Sequence, residues 1–259
     1  MRKSSFVRLF FWKKTQITLS PITNIEVESA VAYKEEKSKD SCVNIPKRVF
    51  KQFIEVLVIA LTVLFTCLLY KSVVPTSMRV AEVYALYKGK GKKDFSSCYR
   101  AIFQLSFLTK IFERIVYNRL LEMVSKSMSK EQHGFTKRKS CETAGAILSN
   151  DIYNYIDLKG GRAITVFLDY SKAFDSVSHD LLIIKLIEKF QVEPYMIKLL
   201  QDYFNRRLFK IKNGEYFSKY YVVVAGVPPG SCLEPLFFSI FINDIGSAID
   251  VKYLLYADD

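Results

Sequence analysis

The chain has 259 residues, half of them hydrophobic, and a formal net charge of +12. This is enough apolar material for one or two packed domains, and the positive excess favours a polyanionic partner or an acidic membrane surface. The five cysteines are scattered and contain no CxxC pair, which excludes a disulfide framework and a zinc site and favours a reducing compartment.

Residues 1–51 form a mixed, basic segment to which we assign no function. It lacks the apolar core of a secretion signal. We therefore expect an intracellular protein, in the nucleus or cytoplasm, that is not secreted.

The next segment, residues 56–70, is an uncharged apolar run flanked by Lys51 and Lys71. One interpretation is a membrane anchor, which would make the chain a membrane-tethered interaction protein. However, a spanning helix needs about 20 apolar residues, and Thr62 and Thr66 interrupt this run. We favour a buried helix, and a membrane partner is not expected.

Residues 86–100 contain a short loop in which lysines alternate with Gly89 and Gly91. Glycine lets a backbone approach a ligand closely, and ammonium groups neutralise phosphate. Taken alone, the loop is better explained as a solvated basic turn between strands. The lysines are Lys88, Lys90, Lys92 and Lys93.

Apolar residues at helical spacing over residues 102–127 predict a core helix whose charged residues, among them Glu113, lie on its outer face. A basic cluster follows that includes Lys137 and Arg138, and residues 142–156 read as another amphipathic helix.

Two apolar runs each end in carboxylates. Ile164–Leu168 is rich in β-branched and aromatic residues, which predicts a buried strand that delivers Asp169 to its end. A second run, Val251–Tyr256, leads to Asp258 and Asp259. If these two strands lie side by side, the carboxylates meet at one edge, and such hard oxygen ligands suit Mg²⁺.

Between these runs the pattern predicts scaffold elements. Ser178 or Asp180 can cap a helix over residues 181–190, and Pro194 opens the next helix. Asn213-Gly214 between alternating residues predicts a β-hairpin, with Lys210 and Lys212 on one face.

Three of these stretches together resemble a known family. They are Phe167–Asp175 (FLDYSKAFD), Gly226–Ser231 (GVPPGS) and Tyr256–Asp259 (YADD). In this order and spacing they resemble the polymerase motifs of reverse transcriptases from non-LTR (LINE-type) retrotransposons, over roughly residues 61–259.

The resemblance implies an α+β, right-hand polymerase fold. It places fingers-side helices and a nucleotide-binding loop in residues 52–160. A partial palm, with an antiparallel sheet and packed helices, occupies residues 161–259 and has an inserted fingers part near residues 176–225. The second palm strand and the thumb that follow the Asp pair in the family are absent from this chain.

The resemblance also implies RNA-directed DNA synthesis on an RNA template, with a DNA primer and deoxynucleotide triphosphates as partners and no stable protein partner. Asp169, Asp258 and Asp259 would be catalytic and would hold two Mg²⁺ ions, with Mn²⁺ as an alternative. The implied nucleotide-binding residues are Lys88, Arg100, Phe174 and Gly230. The implied nucleic-acid-binding residues are Lys90, Lys92, Lys137 and Arg138.

The chain departs from the family pattern at several positions. Pro229 replaces a glutamine and so lacks both an amide side chain and a backbone N–H. Thr136 and Arg138 stand where the family places arginine and glycine, and Glu234 replaces a glycine. We expect Glu234 to form a capping box with Ser231. These departures keep open an alternative function, a catalytically decayed relic that still binds nucleic acid.

Overall fold

The computed structural model describes residues 19–37 and 52–257, which form an α+β fold. The helices are α1 (Asn24–Lys37), α2 (Ile54–Lys71), α3 (Thr76–Arg79), α4 (Phe107–Val124), α5 (Cys141–Ile156), α6 (His179–Glu188), α7 (Pro194–Phe204) and α8 (Glu234–Ile242). The strands are β1 (Val80–Tyr87), β2 (Tyr99–Gln104), β3 (Leu208–Asn213), β4 (Tyr216–Phe217) and β5 (Tyr221–Val222).

The core is helical and forms where α2, α4, α6, α7 and α8 meet. Its fully buried rings include Phe65 of α2, Phe112 of α4 and Phe237 of α8. Phe65 and Phe112 contact each other with their ring centroids 5.2 Å apart, which ties α2 to α4. The predicted α+β class is therefore observed, with the helices rather than the sheet supplying most of the buried apolar surface.

Helix α2 confirms the predicted helix in the apolar run and buries one of its faces. Val58, Leu61 and Phe65 are buried at helical spacing, whereas Val56 and Val63 on the other side are exposed. By length and composition α2 could also cross a membrane, with a mean hydropathy of 2.1. Its packing against α4 and α7 favours the core-helix interpretation.

The predicted helix over residues 102–127 begins later than expected. Residues 102–104 belong to strand β2, and α4 starts at Phe107 after Ser106, whose Oγ accepts a hydrogen bond of 3.1 Å from the Thr109 amide. The apolar residues of β2 had mimicked helical spacing. Glu113 was expected on the outer face but is buried, with 1% of its surface exposed.

One mixed sheet has the strand order β2-β1-β3-β4, and β5 also pairs with β3. Strand β1 pairs antiparallel with β2 and parallel with β3. The predicted hairpin is confirmed as β3 and β4, joined through Gly214 at a φ of +60°, with Asn213 opposite Tyr216. Lys210 and Lys212 both approach the Phe217 ring, which confirms that they share a face.

The start signals predicted for α6 and α7, the two helices that precede the hairpin, are also observed. Ser178 Oγ accepts a hydrogen bond of 3.4 Å from the Leu181 amide at the start of α6. Pro194 occupies the first turn of α7, where its missing N–H costs no intrahelical hydrogen bond.

The predicted strand Ile164–Leu168 is not formed. The segment is irregular, and its side chains are exposed, with 92% for Ile164 and 81% for Phe167. A strand is stable only when its N–H and C=O groups pair with a neighbour, and no strand within residues 19–37 and 52–257 pairs with this segment. Intrinsic β propensity cannot replace that partner.

The second predicted strand, Val251–Tyr256, is also not formed, because it pairs with another segment at a single position. Its backbone pairing is an isolated bridge in which the Leu255 amide donates to Glu131 O at 3.0 Å and Leu255 O accepts from the His133 amide at 2.7 Å. Helix α5 forms as predicted, and Ser140 caps it, but it buries none of its residues.

Two leucines of α2 test whether this helix packs in a protein core. Leu69→Ala should lower the free energy of unfolding by about 2–5 kcal/mol because it leaves a cavity at a position with 1% exposure. Leu64→Ala, at 42% exposure, should cost below about 1 kcal/mol. Urea unfolding of both variants measures the difference. Equal costs would contradict the one-sided packing of α2.

Candidate functional site

The loop Gly226–Ser231 is attached at its first end to the turn Phe174–Ser176, so the structure joins two of the three sequence motifs. The Gly226 amide donates to Val177 O, and the Val227 amide donates to Phe174 O, each at 2.9 Å. Gly226 has a φ of +86°, and a Cβ on it would lie 2.9 Å from the Asp175 Cα. Only glycine allows this approach, because a side chain here would displace the Asp175 backbone.

At its other end the loop contacts the sheet. Gly230 has a φ of +75°, and a Cβ on it would lie 2.3 Å from Phe103 O in β2. The Gly230 amide donates to Glu234 Oε2 at 2.9 Å. The predicted nucleotide-binding Gly230 is therefore fixed between a strand of the sheet and the first turn of α8.

Glu234 does not form the expected capping box. The residue that precedes α8 is Leu233, which makes no side-chain cap, and the Ser231 Oγ accepts from the Leu233 amide at 3.0 Å. Helix α8 begins at Glu234 itself, so the carboxylate turns back to Gly230 rather than to Ser231. The spacing of the motif was right, but the helix starts later than the box requires.

A buried network holds the loop from beneath. The Tyr203 hydroxyl donates to Glu113 Oε1 at 2.5 Å and lies 3.0 Å from Ser231 Oγ. The Cys232 amide donates to Glu113 Oε2 at 3.2 Å. Burial raises the pKa of Tyr203 well above its usual range, although the nearby Arg207 acts in the opposite direction.

This network was not predicted, because Glu113 and Tyr203 are 90 positions apart. One sequence signal existed. Glu113 lies three residues before Val116 and seven before Leu120, so it belongs to the stripe of α4 that is buried.

Glu234 is a second titratable group that this environment affects. Burial raises the pKa of Glu234 to about 7, and the negative charges of Asp175 and Glu113 add to this increase. The hydrogen bond from the Gly230 amide acts in the opposite direction. Near neutral pH the carboxyl therefore exists in both protonation states.

The Phe174 ring lies between two other rings. It stacks on Phe238 of α8 with centroids 4.3 Å apart, and Phe135 contacts it edge-on at 6.1 Å. The ring is partly buried, and the Phe174 carbonyl holds Val227 of the loop. Phe174 is thus fixed beside the loop and cannot turn away without breaking the stack.

The third motif is anchored at Gln132 and Gly134, just before the basic residues Lys137 and Arg138. The Ala257 amide donates to Gln132 Oε1 at 3.1 Å, and a Cβ on Gly134 would lie 2.1 Å from the Ala257 amide nitrogen. This fixes the residue that directly precedes the Asp pair.

The predicted metal ligands are only partly described. Asp258 and Asp259 lie outside the described residues, and Asp169 is exposed in the irregular segment after Leu168. Within residues 19–37 and 52–257 no group of three His, Cys, Asp or Glu side chains could hold a metal ion. The meeting of Asp169 with the Asp pair stays a prediction.

The predicted phosphate-binding residues lie in the hairpin of β1 and β2 and in the loop that connects these strands. Lys88 donates from Nζ to Ser97 O at 2.7 Å, and Arg100 lies opposite Leu86. Lys90 and Lys92 are exposed in the connecting loop.

Lys137 and Arg138 are exposed as well, next to the segment that anchors Ala257. Arg138 has a φ of +64°, the left-handed conformation that favours glycine. The residue that the resembled family places here is glycine, so the arginine occupies a backbone conformation made for another residue. Thr136, the other departure, donates its hydroxyl to Gln132 O at 3.1 Å.

Comparison with known proteins identifies the family of the chain. Residues 90–259 match the family described as reverse transcriptase (RNA-dependent DNA polymerase). A probable RNA-directed DNA polymerase from transposon BS of Drosophila melanogaster is 28% identical over 231 residues, 88% of this chain and 25% of that protein. The RNA-directed DNA polymerase from mobile element jockey of the same species is 28% identical over 254 residues, 94% of this chain and 27% of that protein. The chain spans about a quarter of the length of these relatives.

Arg138→Gly should increase the free energy of unfolding by about 0.5–1 kcal/mol, because it removes a side chain from the left-handed conformation. Lys137→Gly is the matched control, since Lys137 has no positive φ, and it should lower stability by about 0.5–1 kcal/mol. Urea midpoints of both variants provide the measurement. A loss of stability in Arg138→Gly would contradict the backbone strain inferred from the positive φ of Arg138.

Glu234→Gln tests the raised pKa. A folded-state pKa of about 7, above the ordinary 4.5, means that Glu234 contributes stability that is complete below pH 4.5 and is lost as the pH rises through about 7. Glutamine stays neutral, so the variant should become progressively more stable than the wild type over this range and keep its advantage above it.

Urea unfolding from about pH 5 to 8 measures this difference. Glu188→Gln, on an exposed part of α6, controls for the loss of one negative charge. A constant difference between Glu234→Gln and the wild type at every pH would contradict the raised pKa.

Proposed function

Because the chain belongs to the reverse transcriptase (RNA-dependent DNA polymerase) family, we propose that it carries out RNA-templated DNA synthesis. In this reaction a primer 3′-hydroxyl attacks the α-phosphate of a deoxynucleotide triphosphate, and pyrophosphate leaves. The observation that carries the proposal is the pair of hydrogen bonds that attaches Gly226 and Val227 to the turn after Asp169. These bonds bring two sequence motifs, 51 positions apart at Asp175 and Gly226, to one place.

The acidic residues fit a divalent ion by their chemistry. Asp169 presents an exposed carboxylate, and Asp258 follows directly on the anchored Ala257. Three carboxylates are hard oxygen donors of the kind that Mg²⁺ prefers, and Mn²⁺ is an alternative. Asp169, Asp258 and Asp259 would hold two such ions, which would supply charge stabilisation for the attacking and leaving oxygens.

The remaining site residues act on the nucleotide. Lys88 and Arg100 would neutralise the triphosphate, and Gly230 would allow the loop backbone to approach the base. Phe174 would lie under the sugar, where its ring leaves no room for a 2′-hydroxyl, the group that distinguishes RNA from DNA. Its stack on Phe238 supports this role because it fixes the ring in place.

The substrates and the architecture follow from the same proposal. An RNA template, a DNA primer and deoxynucleotide triphosphates are the partners, with Lys90, Lys92, Lys137 and Arg138 on the nucleic acid. The segment 52–160 is assigned to fingers and the segment 161–259 to part of the palm. The site of action is intracellular, in the nucleus or cytoplasm.

A second candidate function is supported by the loop itself. Pro229 is half-buried between Gly226 and Gly230 and offers neither an amide side chain nor an N–H to a nucleotide or template base. In this alternative the chain binds nucleic acid through its basic residues but does not polymerise. Binding that depends on salt, without primer extension, would favour it.

Asp169→Ala should abolish primer extension on a homopolymer RNA template and leave nucleic-acid affinity nearly unchanged, because Asp169 acts on the reacting phosphate rather than on the phosphate backbone of the nucleic acid. Asp250→Ala, another exposed aspartate, serves as the control and should extend normally. Extension and filter binding are measured side by side. Normal extension by Asp169→Ala would remove the metal role assigned to this residue.

A further inference from the structure

The imidazole of His179 contacts the first residue of the loop Gly226–Ser231. His179 is the first residue of α6, and its Nε2 lies 2.7 Å from Gly226 O. A backbone carbonyl can only accept a hydrogen bond, so the imidazole is the donor and Nε2 carries the proton. No other hydrogen bond reaches Gly226 O from residues 19–37 and 52–257. The sequence had assigned no role to His179.

The donor matters because Gly226 is a buried residue. Its N–H already donates to Val177 O at 2.9 Å, and His179 satisfies its other backbone group. A buried carbonyl that is left without a donor is strongly unfavourable. The imidazole therefore completes the attachment of the loop at its first residue.

The His179 ring is itself held in place. It stacks on Phe204, the last residue of α7, with the centroids 4.4 Å apart and the planes inclined by 22°. Phe204 is 6% exposed and contacts Phe237 of α8, with the centroids of these two rings 5.0 Å apart. Because the stack already fixes the imidazole, little rotamer freedom is lost when its hydrogen bond forms. The bond thus ties the loop to the packed ends of α6 and α7.

Two prolines make the loop stiff between its ends. Pro228 and Pro229 each fix their own φ at about −65°. The far end of the loop remains attached through the Gly230 amide, which donates to Glu234 Oε2 at 2.9 Å. If the Gly226 end is released, a stiff loop pivots as one unit about Gly230. The angle of the whole loop therefore depends on the attachment at Gly226.

We propose that His179 is a positioning residue that sets the affinity for the incoming deoxynucleotide, by holding the loop Gly226–Ser231 against the turn Phe174–Ser176. The inference rests on the proposed function, in which Phe174 lies under the sugar and Gly230 lies near the base. In that arrangement His179 contacts the loop rather than the nucleotide. Because the loop contacts the base equally in the ground state and in the transition state, a misplaced loop raises KM and leaves kcat unchanged.

Two substitutions separate the hydrogen bond from the ring stack. His179→Phe keeps a ring on Phe204 but removes the donor. On a poly(A) RNA template with an oligo(dT) primer, it should raise KM for dTTP roughly 5- to 150-fold, the effect of one unsatisfied buried carbonyl, with kcat within about twofold. His179→Gln can present its amide nitrogen to Gly226 O and should return KM to within about threefold of the wild type. Rescue by a side chain without a ring would exclude a role in packing alone.

Hydrogen exchange tests the same attachment without polymerisation. The Gly226 and Val227 amides donate to Val177 O and Phe174 O. They should exchange about 5- to 150-fold faster in His179→Phe than in the wild type, and at nearly the wild-type rate in His179→Gln. Mass spectrometry of the peptide that covers the loop measures the rates, and its two prolines contribute no amide signal.

Tyr70→Phe is the matched control. The Tyr70 hydroxyl also donates to a backbone carbonyl, Leu19 O at 3.2 Å, but it does so on α2. KM for dTTP and the exchange of the loop amides should both match the wild type. Thermal melting establishes that each variant is folded. If His179→Phe does not fold, His179→Asn takes its place, because its shorter amide does not reach Gly226 O and should give the same defect.

Failure of this inference can be distinguished from failure of the proposed function. A wild-type chain that does not extend a primer would contradict the proposed function, and hydrogen exchange would then decide on His179 alone. Unchanged exchange of the loop amides in His179→Phe and His179→Asn would overturn the positioning role whether or not the chain polymerises.

Two kinetic results would overturn the positioning role as well. The first is a KM for dTTP that stays within about twofold of the wild type in both His179→Phe and His179→Asn, whatever the change in kcat. The second is an equal defect in His179→Gln and His179→Phe, which would assign the imidazole to packing alone.

Discussion

The close approach of Gly226 to the Asp175 backbone is the contact on which the candidate site depends. A Cβ on Gly226 would lie 2.9 Å from the Asp175 Cα, so the two segments are in contact through their main chains. Two hydrogen bonds of 2.9 Å reinforce that contact. Main-chain contacts tolerate substitution of neighbouring side chains, which explains how the loop keeps its place although Pro229 and Glu234 differ from the family pattern.

The helices around the loop make this contact possible. Glu113 of α4 is buried and unable to reach water, so it must be satisfied inside the protein. Tyr203 of α7 and the Cys232 amide after the loop meet that need. Because one carboxylate binds both α7 and the segment that leads into α8, the position of the loop is linked to the packing of three helices.

Local sequence signals predicted the elements whose stability is local. The periodicity of α2, the serine before α6, the proline that opens α7 and the Asn213-Gly214 turn each specify a structure through their own conformational preferences. Gly230 was implied by the family resemblance alone, and the close approach of Gly226 to Asp175 and of Gly230 to Phe103 was not predicted.

Interactions between distant segments were not predictable in the same way. Ile164–Leu168 has the composition of a strand, yet a strand depends on a partner that no local pattern specifies. The burial of Glu113 depends on Tyr203, which is 90 positions away. The departure of α8 from a capping box was equally non-local, because Glu234 turns to Gly230, whose place is set by β2.

Basic and acidic residues lie in different parts of the protein, which explains how the chain could bind a polyanion although several carboxylates lie nearby. Lysines and arginines lie on the sheet and in its connecting loops, whereas Asp175 and Glu234 lie at the Gly226–Ser231 loop. Burial is the main cause that raises the pKa of Glu234 to about 7, and repulsion by the negative charges of Asp175 and Glu113 adds to it. An anionic triphosphate would meet the same repulsion, so its approach to the loop requires either bound cations or protonation of Glu234.

The glycine that the family places at position 234 adds no such charge. In this chain the carboxylate holds the Gly230 amide in place and at the same time makes the loop less favourable for an anion, so the two effects of one substitution oppose each other.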